Sequence, residues 1–119
     1  MALYHADVFL PKRVRNMVVA GRHTLAYSQH AIRESTSDRY GKLALPASIV
    51  VGPSDIVEIE EYSGVVRKYV IRVPLNDRLD LCLAVIPEGR GKLFVKTVWA
   101  NEVNETHKTL DLRRYERRI

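Results

Sequence analysis

Three stretches in the second half decide the fold class: Val65-Val66-Arg67-Lys68-Tyr69-Val70-Ile71-Arg72-Val73, Leu79-Asp80-Leu81-Cys82-Leu83-Ala84-Val85-Ile86 and Lys92-Leu93-Phe94-Val95-Lys96-Thr97-Val98-Trp99. The first alternates: Arg67, Tyr69, Ile71 and Val73 fall on one face, Val66, Lys68, Val70 and Arg72 on the other. The second is nearly all apolar and reads as a central strand. The third places Leu93, Val95, Thr97 and Trp99 opposite Lys92, Phe94, Lys96 and Val98. Asn76-Asp77 marks a turn before the second stretch. Pro87-Glu88-Gly89-Arg90-Gly91 reads as a glycine-bearing hairpin loop. A fourth run, Asp55–Tyr62, precedes them across the compact turn Ser63-Gly64. Connections this short favour an antiparallel meander.

The first half reads as helical. Pro11 can open a helix through Ala20, with Val14, Met17 and Val18 as its apolar stripe and Gly21 as its stop. Ser28 is a good cap for a second helix running towards Asp38 and ending before Gly41. Pro46 suits the first turn of a short third helix over residues 47–51. The expected architecture is therefore α+β, with N-terminal helices packed on a four-stranded antiparallel meander sheet and a short C-terminal helix or tail. Residues 1–119 form one expected domain, with its core at about 25–100 and a basic tail at 101–119.

Composition narrows the function classes. The chain carries 19 Lys and Arg against 14 Asp and Glu, a net charge of +5. That excess points to a polyanionic partner. Residues 91–119 hold seven basic and four acidic side chains, and the densest cluster is Arg113-Arg114-Tyr115-Glu116-Arg117-Arg118. This cluster reads either as an electrostatic arm or as the cationic end of a helix. No apolar run approaches the roughly 20 residues of a membrane-spanning helix. The N-terminus lacks the layout of a signal peptide. A single cysteine, Cys82, excludes an internal disulfide and a cysteine-based zinc cluster, and its apolar surroundings mark it as a buried small side chain. The cytoplasm is the expected location.

No motif calls for a metal or cofactor. The histidines, His5, His23, His30 and His107, include no His-x3-His pair. Glu58 and Glu60 share a strand face, which suits either a cation or a solvated surface. Glu88-Gly89-Arg90-Gly91 lacks the spacing of a phosphate-binding loop. His30 is the histidine whose position carries chemistry. One step inside the helix that Ser28 caps, it meets the positive end of the helix dipole, which disfavours imidazolium. A neutral imidazole there can serve as a general base, or simply pack at the seam. His107 is a second titrating group or a surface side chain.

A basic and aromatic set lies on the expected sheet: Arg67, Lys68, Tyr69, Arg72, Arg90, Lys92, Lys96 and Trp99. Cations on a sheet grip phosphates, and aromatic rings stack bases. RNA supplies its own 2′-hydroxyl nucleophile, so a base, an acid and cations suffice for cleavage. The competing reading is the solvated face of amphipathic strands.

The segment Tyr27-Ser28-Gln29-His30-Ala31, with the later Val95-Lys96-Thr97-Val98-Trp99, resembles a family of small domains. That family opens its main helix with Ser-x-His-Ala and is similar to the RelE-type and BrnT-type toxins of the barnase–EndoU–colicin–RelE ribonuclease fold. The resemblance covers residues 25–100. It implies a metal-independent endoribonuclease or an RNA binder. By position His30 is the family's histidine and Thr97 its last-strand hydroxyl. With Arg67 as the phosphate-facing cation, these are the expected catalytic residues. Lys68, Arg72, Arg90, Lys92, Lys96, Arg113, Arg114 and Arg117 are the expected nucleic-acid contacts. RNA is the expected partner. An antitoxin, or a host protein in a phage setting, is the other. The alternative reading is a non-enzymatic interaction protein contacting a host macromolecule through Phe9, Leu10, Met17 and Val18. DNA binding through the basic first helix is a third.

Overall fold

A computed structural model describes residues 2–5, 20–52, 55–63 and 65–105. Within them lie seven strands and one helix, in the order β1 (Ala2–His5), β2 (Gly21–Tyr27), α1 (Gln29–Thr36), β3 (Ser48–Val51), β4 (Ile56–Tyr62), β5 (Val65–Pro74), β6 (Leu79–Gly89) and β7 (Lys92–Glu102). All seven strands join one sheet in the order β1-β4-β5-β6-β7-β2-β3. The β2–β7 pair is parallel and the other pairs are antiparallel.

This corrects the expected four-stranded antiparallel sheet under N-terminal helices. The four expected strands do form a meander, β4 to β7, but it is part of a larger mixed sheet. Of residues 47–51, expected as a helix, Ser48–Val51 form β3. Ile49, Val50 and Val51 are β-branched, a preference that outweighs the helix-opening reading of Pro46. Gly21, expected to stop a helix, opens β2 with φ of 107°. In β2 the alternation is short: His23 and Leu25 are buried while Arg22, Thr24 and Ala26 are exposed. Of the helix expected from Pro11 through Ala20, residues 11–19 lie outside the described residues and Ala20 is in no helix; the tail beyond residue 105 is likewise outside the described residues.

Chain length shows why the sheet curls. β3 and β4 are separated in the sheet by β5, β6, β7 and β2. Laid flat, five strand spacings span about 24 Å. Only the link from Val51 to Ile56 joins them, and it reaches at most about 18 Å. The sheet must bend back on itself into a half-barrel. Irregular register in β4–β5 and in β6–β7 helps it bend.

The inside of the curl holds the main core. Leu81, Leu83 and Val85 of β6 meet Ile71 of β5, Val95 and Val98 of β7, Leu25 of β2 and Ala31 of α1. Ala31 and Ser35 are the buried residues of α1, whose Ser28 cap accepts a hydrogen bond from Ala31 N at 3.0 Å. Outside the curl, Val57, Val70 and Ala84 form a second buried cluster with Trp99 packed against it. Strand β6 is buried on both faces from Leu79 to Val85, as its apolar run requires. Cys82 is fully buried there.

Candidate functional site: the outer face of β2 and β7

The parallel β2–β7 pair sets the geometry. Thr24 lies beside Lys92, and Ala26 beside Phe94. On the far side of β7, Phe94 faces Ile86 and Lys92 faces Gly89. Leu25, Leu93 and Val95 point into the core, so Arg22, Thr24, Lys92 and Phe94 point outward. Arg22, Thr24 and Lys92 are exposed, and Phe94 is half-buried. The β6–β7 hairpin turns through Arg90 and Gly91 alone, with φ of 55° and 69°. Positive φ at both turn positions matches the twist of a two-residue hairpin. It leaves Arg90 exposed at the tip.

Beyond Val95 the neighbour of β7 changes from a strand to a helix. Ser28 N donates to Val95 O, and Ser28 Oγ to Lys96 O, both at 2.9 Å. From there the chain turns into α1, and carboxylates replace main-chain partners. Val98 N donates to Glu34 Oε1 at 3.3 Å, Ala100 N to Asp38 Oδ1 at 3.2 Å and Glu102 N to Glu105 Oε1 at 2.6 Å. These three alternate amides would otherwise form an open strand edge. His30 stands beside this seam. Its Nε2 lies 3.3 Å from the same Glu34 Oε1, and its side chain is 61% exposed.

Glu105 ties the end of the seam together. It accepts from Tyr40 Oη at 2.6 Å and from Arg39 Nη2 at 2.5 Å. Burial works to raise its pKa, but the hydrogen bonds from Tyr40, Glu102 N and Arg39 outweigh it and hold the carboxyl at about 2.

The three expected catalytic residues lie on different elements. Strict alternation of β7 breaks after Val95. Ala84 pairs with Thr97 and Val85 with Val95, so Lys96 is the extra residue of a bulge. Val98 consequently enters the core, while Thr97 faces Ala84 on the outside. Arg67 is on β5, in the register shift against β4. With β6 intervening, two strand spacings, about 10 Å, separate its strand from β7. His30 lies beyond β7, on the helix.

The expected nucleic-acid contacts also separate. Arg90, Lys92 and Lys96 are exposed on one hairpin and its strand. Lys68 is further off on β5, where its Nζ lies 3.7 Å from Glu60 Oε2. Arg72 is buried: its Nε lies 2.7 Å from Asp80 Oδ2, both side chains are 0% exposed, and Nη2 donates to Glu102 O at 3.0 Å. Arg113, Arg114 and Arg117 lie outside the described residues, as do Phe9, Leu10, Met17, Val18 and His107. Of the aromatic set, Tyr69 is a core side chain whose phenol burial pushes up to about 12. Two residues of the exposed face escaped the sequence reading as contacts, Arg22 and Phe94. Phe94 was legible, since alternation puts it beside Lys92. Arg22 was not, because the seven residues of β2 lie between two expected helix ends, Gly21 and Ser28, and carry too short an alternation to mark a strand.

Among the described residues no group of three His, Cys, Asp or Glu side chains is placed to hold a metal ion. None of the described helices is long and apolar enough to cross a membrane. In comparisons with known proteins, no family model matches the chain, and neither a curated protein nor a solved structure matches it.

Proposed function

We propose that this protein is a cytoplasmic RNA-binding module that uses the outer face of β2 and β7. The observation that carries the reading is the row of exposed cations Arg22, Arg90, Lys92 and Lys96 along β2, the hairpin tip and β7, with Phe94 in β7 between Lys92 and Lys96. All four cations are exposed, and no ion pair occupies them among the described residues. Unpaired cations beside a half-exposed ring combine phosphate attraction with a surface for base stacking. The net charge of +5 suits polyanions in general, and the resemblance at Ser28-Gln29-His30-Ala31 is what favours RNA among them.

Binding is favoured over cleavage. His30, Arg67 and Thr97 sit on α1, β5 and β7, and a phosphoryl-transfer site needs its base and its cation around one phosphate. His30 with Glu34 is the pair from which a cleavage step would start. A fluorescence-anisotropy titration with a labelled single-stranded RNA at low salt tests binding. Saturable binding that weakens steeply with salt is expected, and no affinity at low salt would refute the proposal. Cleavage is tested separately with His30→Ala: RNA degradation that persists unchanged in the variant removes His30 as the base.

A further inference from the structure

The ring of Phe94 does not stand alone on the outer face. In the register Phe94 lies opposite Ala26 of β2 on one side and Ile86 of β6 on the other. Directly opposed residues share a face, so Ala26, Phe94 and Ile86 make an apolar strip three strands wide. Its ends are two strand spacings apart, about 10 Å. None of the three belongs to either buried cluster or packs against one. Ala26 is exposed, and Phe94 and Ile86 are half-buried. The side chain of Ala26 is too short to cover the ring from the β2 side.

Charge is arranged along β7 rather than across the strip. Lys92 lies two residues before Phe94 and Lys96 two residues after it, about 7 Å each way. Both are exposed. Residues 86–97 carry three cations, Arg90, Lys92 and Lys96, against one carboxylate, Glu88. Strand β2 carries no carboxylate, and Glu34 of α1 is turned to the amide of Val98. The ring is therefore an apolar platform with a cation before it and another after it.

We infer that this face is selective for single-stranded RNA over duplex. One unpaired base lies flat on the strip of Ala26, Phe94 and Ile86, and the phosphates on either side of that base meet Lys92 and Lys96. The inference rests on the reading of this face as an RNA site and names the form of RNA that it takes. A duplex keeps its base faces stacked inside the helix, so it offers the strip only its backbone. A single strand offers both a backbone and an open base. Phe94 is then the specificity-determining residue, while the lysines attract either form.

The test measures a labelled ten-nucleotide RNA by anisotropy, alone and annealed to its complement, at physiological salt. The parent chain should bind the single strand about tenfold more tightly than the duplex, the effect of one stacked base. Phe94→Leu keeps an apolar side chain and should weaken the single strand about tenfold. It should leave the duplex affinity and the salt slope unchanged, since no cation is lost. Phe94→Tyr keeps an aromatic face and should bind like the parent. The inference is overturned if the parent binds both forms alike, or if Phe94→Leu binds the single strand as tightly as the parent. The first comparison needs no substitution, so it decides the matter if Phe94→Leu fails to fold. Equal binding of both forms overturns the inference and leaves the RNA reading standing; binding of neither form overturns both.

Discussion

Arg72 of β5 and Lys92 of β7 lie on the same outer side of one sheet, yet they have opposite surroundings. Arg72 is 1% exposed and held by Asp80, with Cys82 beside it in the register. Lys92 is exposed beside Thr24, and it makes no ion pair with a described residue. The outer face is thus two surfaces: a sealed one around Val57, Val70, Arg72, Asp80, Cys82 and Ala84 with Trp99 of β7 packed against it, and an open one at Arg22, Thr24, Lys92 and the hairpin tip. A cation on the sealed surface belongs to the stability of the fold. A cation on the open surface has its charge available to a partner. Net charge does not distinguish the two, so the electrostatic case for RNA rests on the second surface alone.

The largest effect that can break this contrast is on stability. Arg72→Met leaves the Asp80 carboxylate buried without its cation and should cost about 3–5 kcal/mol, read by urea denaturation. Lys92→Met should stay within about 0.5 kcal/mol. Equal effects would mean that the two surfaces do not differ. Next in size is Asp38→Ala, which removes the acceptor from the amide of Ala100, a residue only 1% exposed. Stranding that amide should cost about 1–3 kcal/mol. A neutral result would show that the seam between α1 and β7 is not held by its carboxylates.

Smaller still is a pH effect at Glu105. Its folded pKa of about 2 lies below the ordinary value of 4.5. Folding therefore favours the ionised form. The stabilisation is complete above about pH 4.5 and drains away as pH falls towards 2. Glu105→Gln should flatten the acid limb of the stability curve in that window. An unchanged limb would remove Glu105 from the seam.

The strands β4 to β7 were legible because alternation, apolar runs and turn residues agree along them. The helix start was legible from Ser28. Three strands were not. β1 and β3 have four residues each, and β2 alternates over only seven, too short to stand out beside Pro46 and Gly21, which also suit helix ends. The fate of Arg72 was illegible for a different reason. Alternation tells which side of a sheet a residue takes, not whether that side is covered. Thr97 and Val98 changed faces because one extra residue, Lys96, bulges β7, and a bulge leaves no mark in a pattern that otherwise alternates. The expected site joined residues of both surfaces; the exposed portion of it, Arg90, Lys92 and Lys96, lies along one hairpin and its strand.

The most direct test compares the salt dependence of RNA binding in the parent chain and in the Arg90→Ala, Lys92→Ala, Lys96→Ala triple variant. Each phosphate contact on a single strand contributes about 0.7 to the slope of log affinity against log salt. The expected result is a slope shallower by about 2 with an unchanged unfolding midpoint. A triple variant that keeps the parent's slope and affinity would contradict the assignment of RNA to this face.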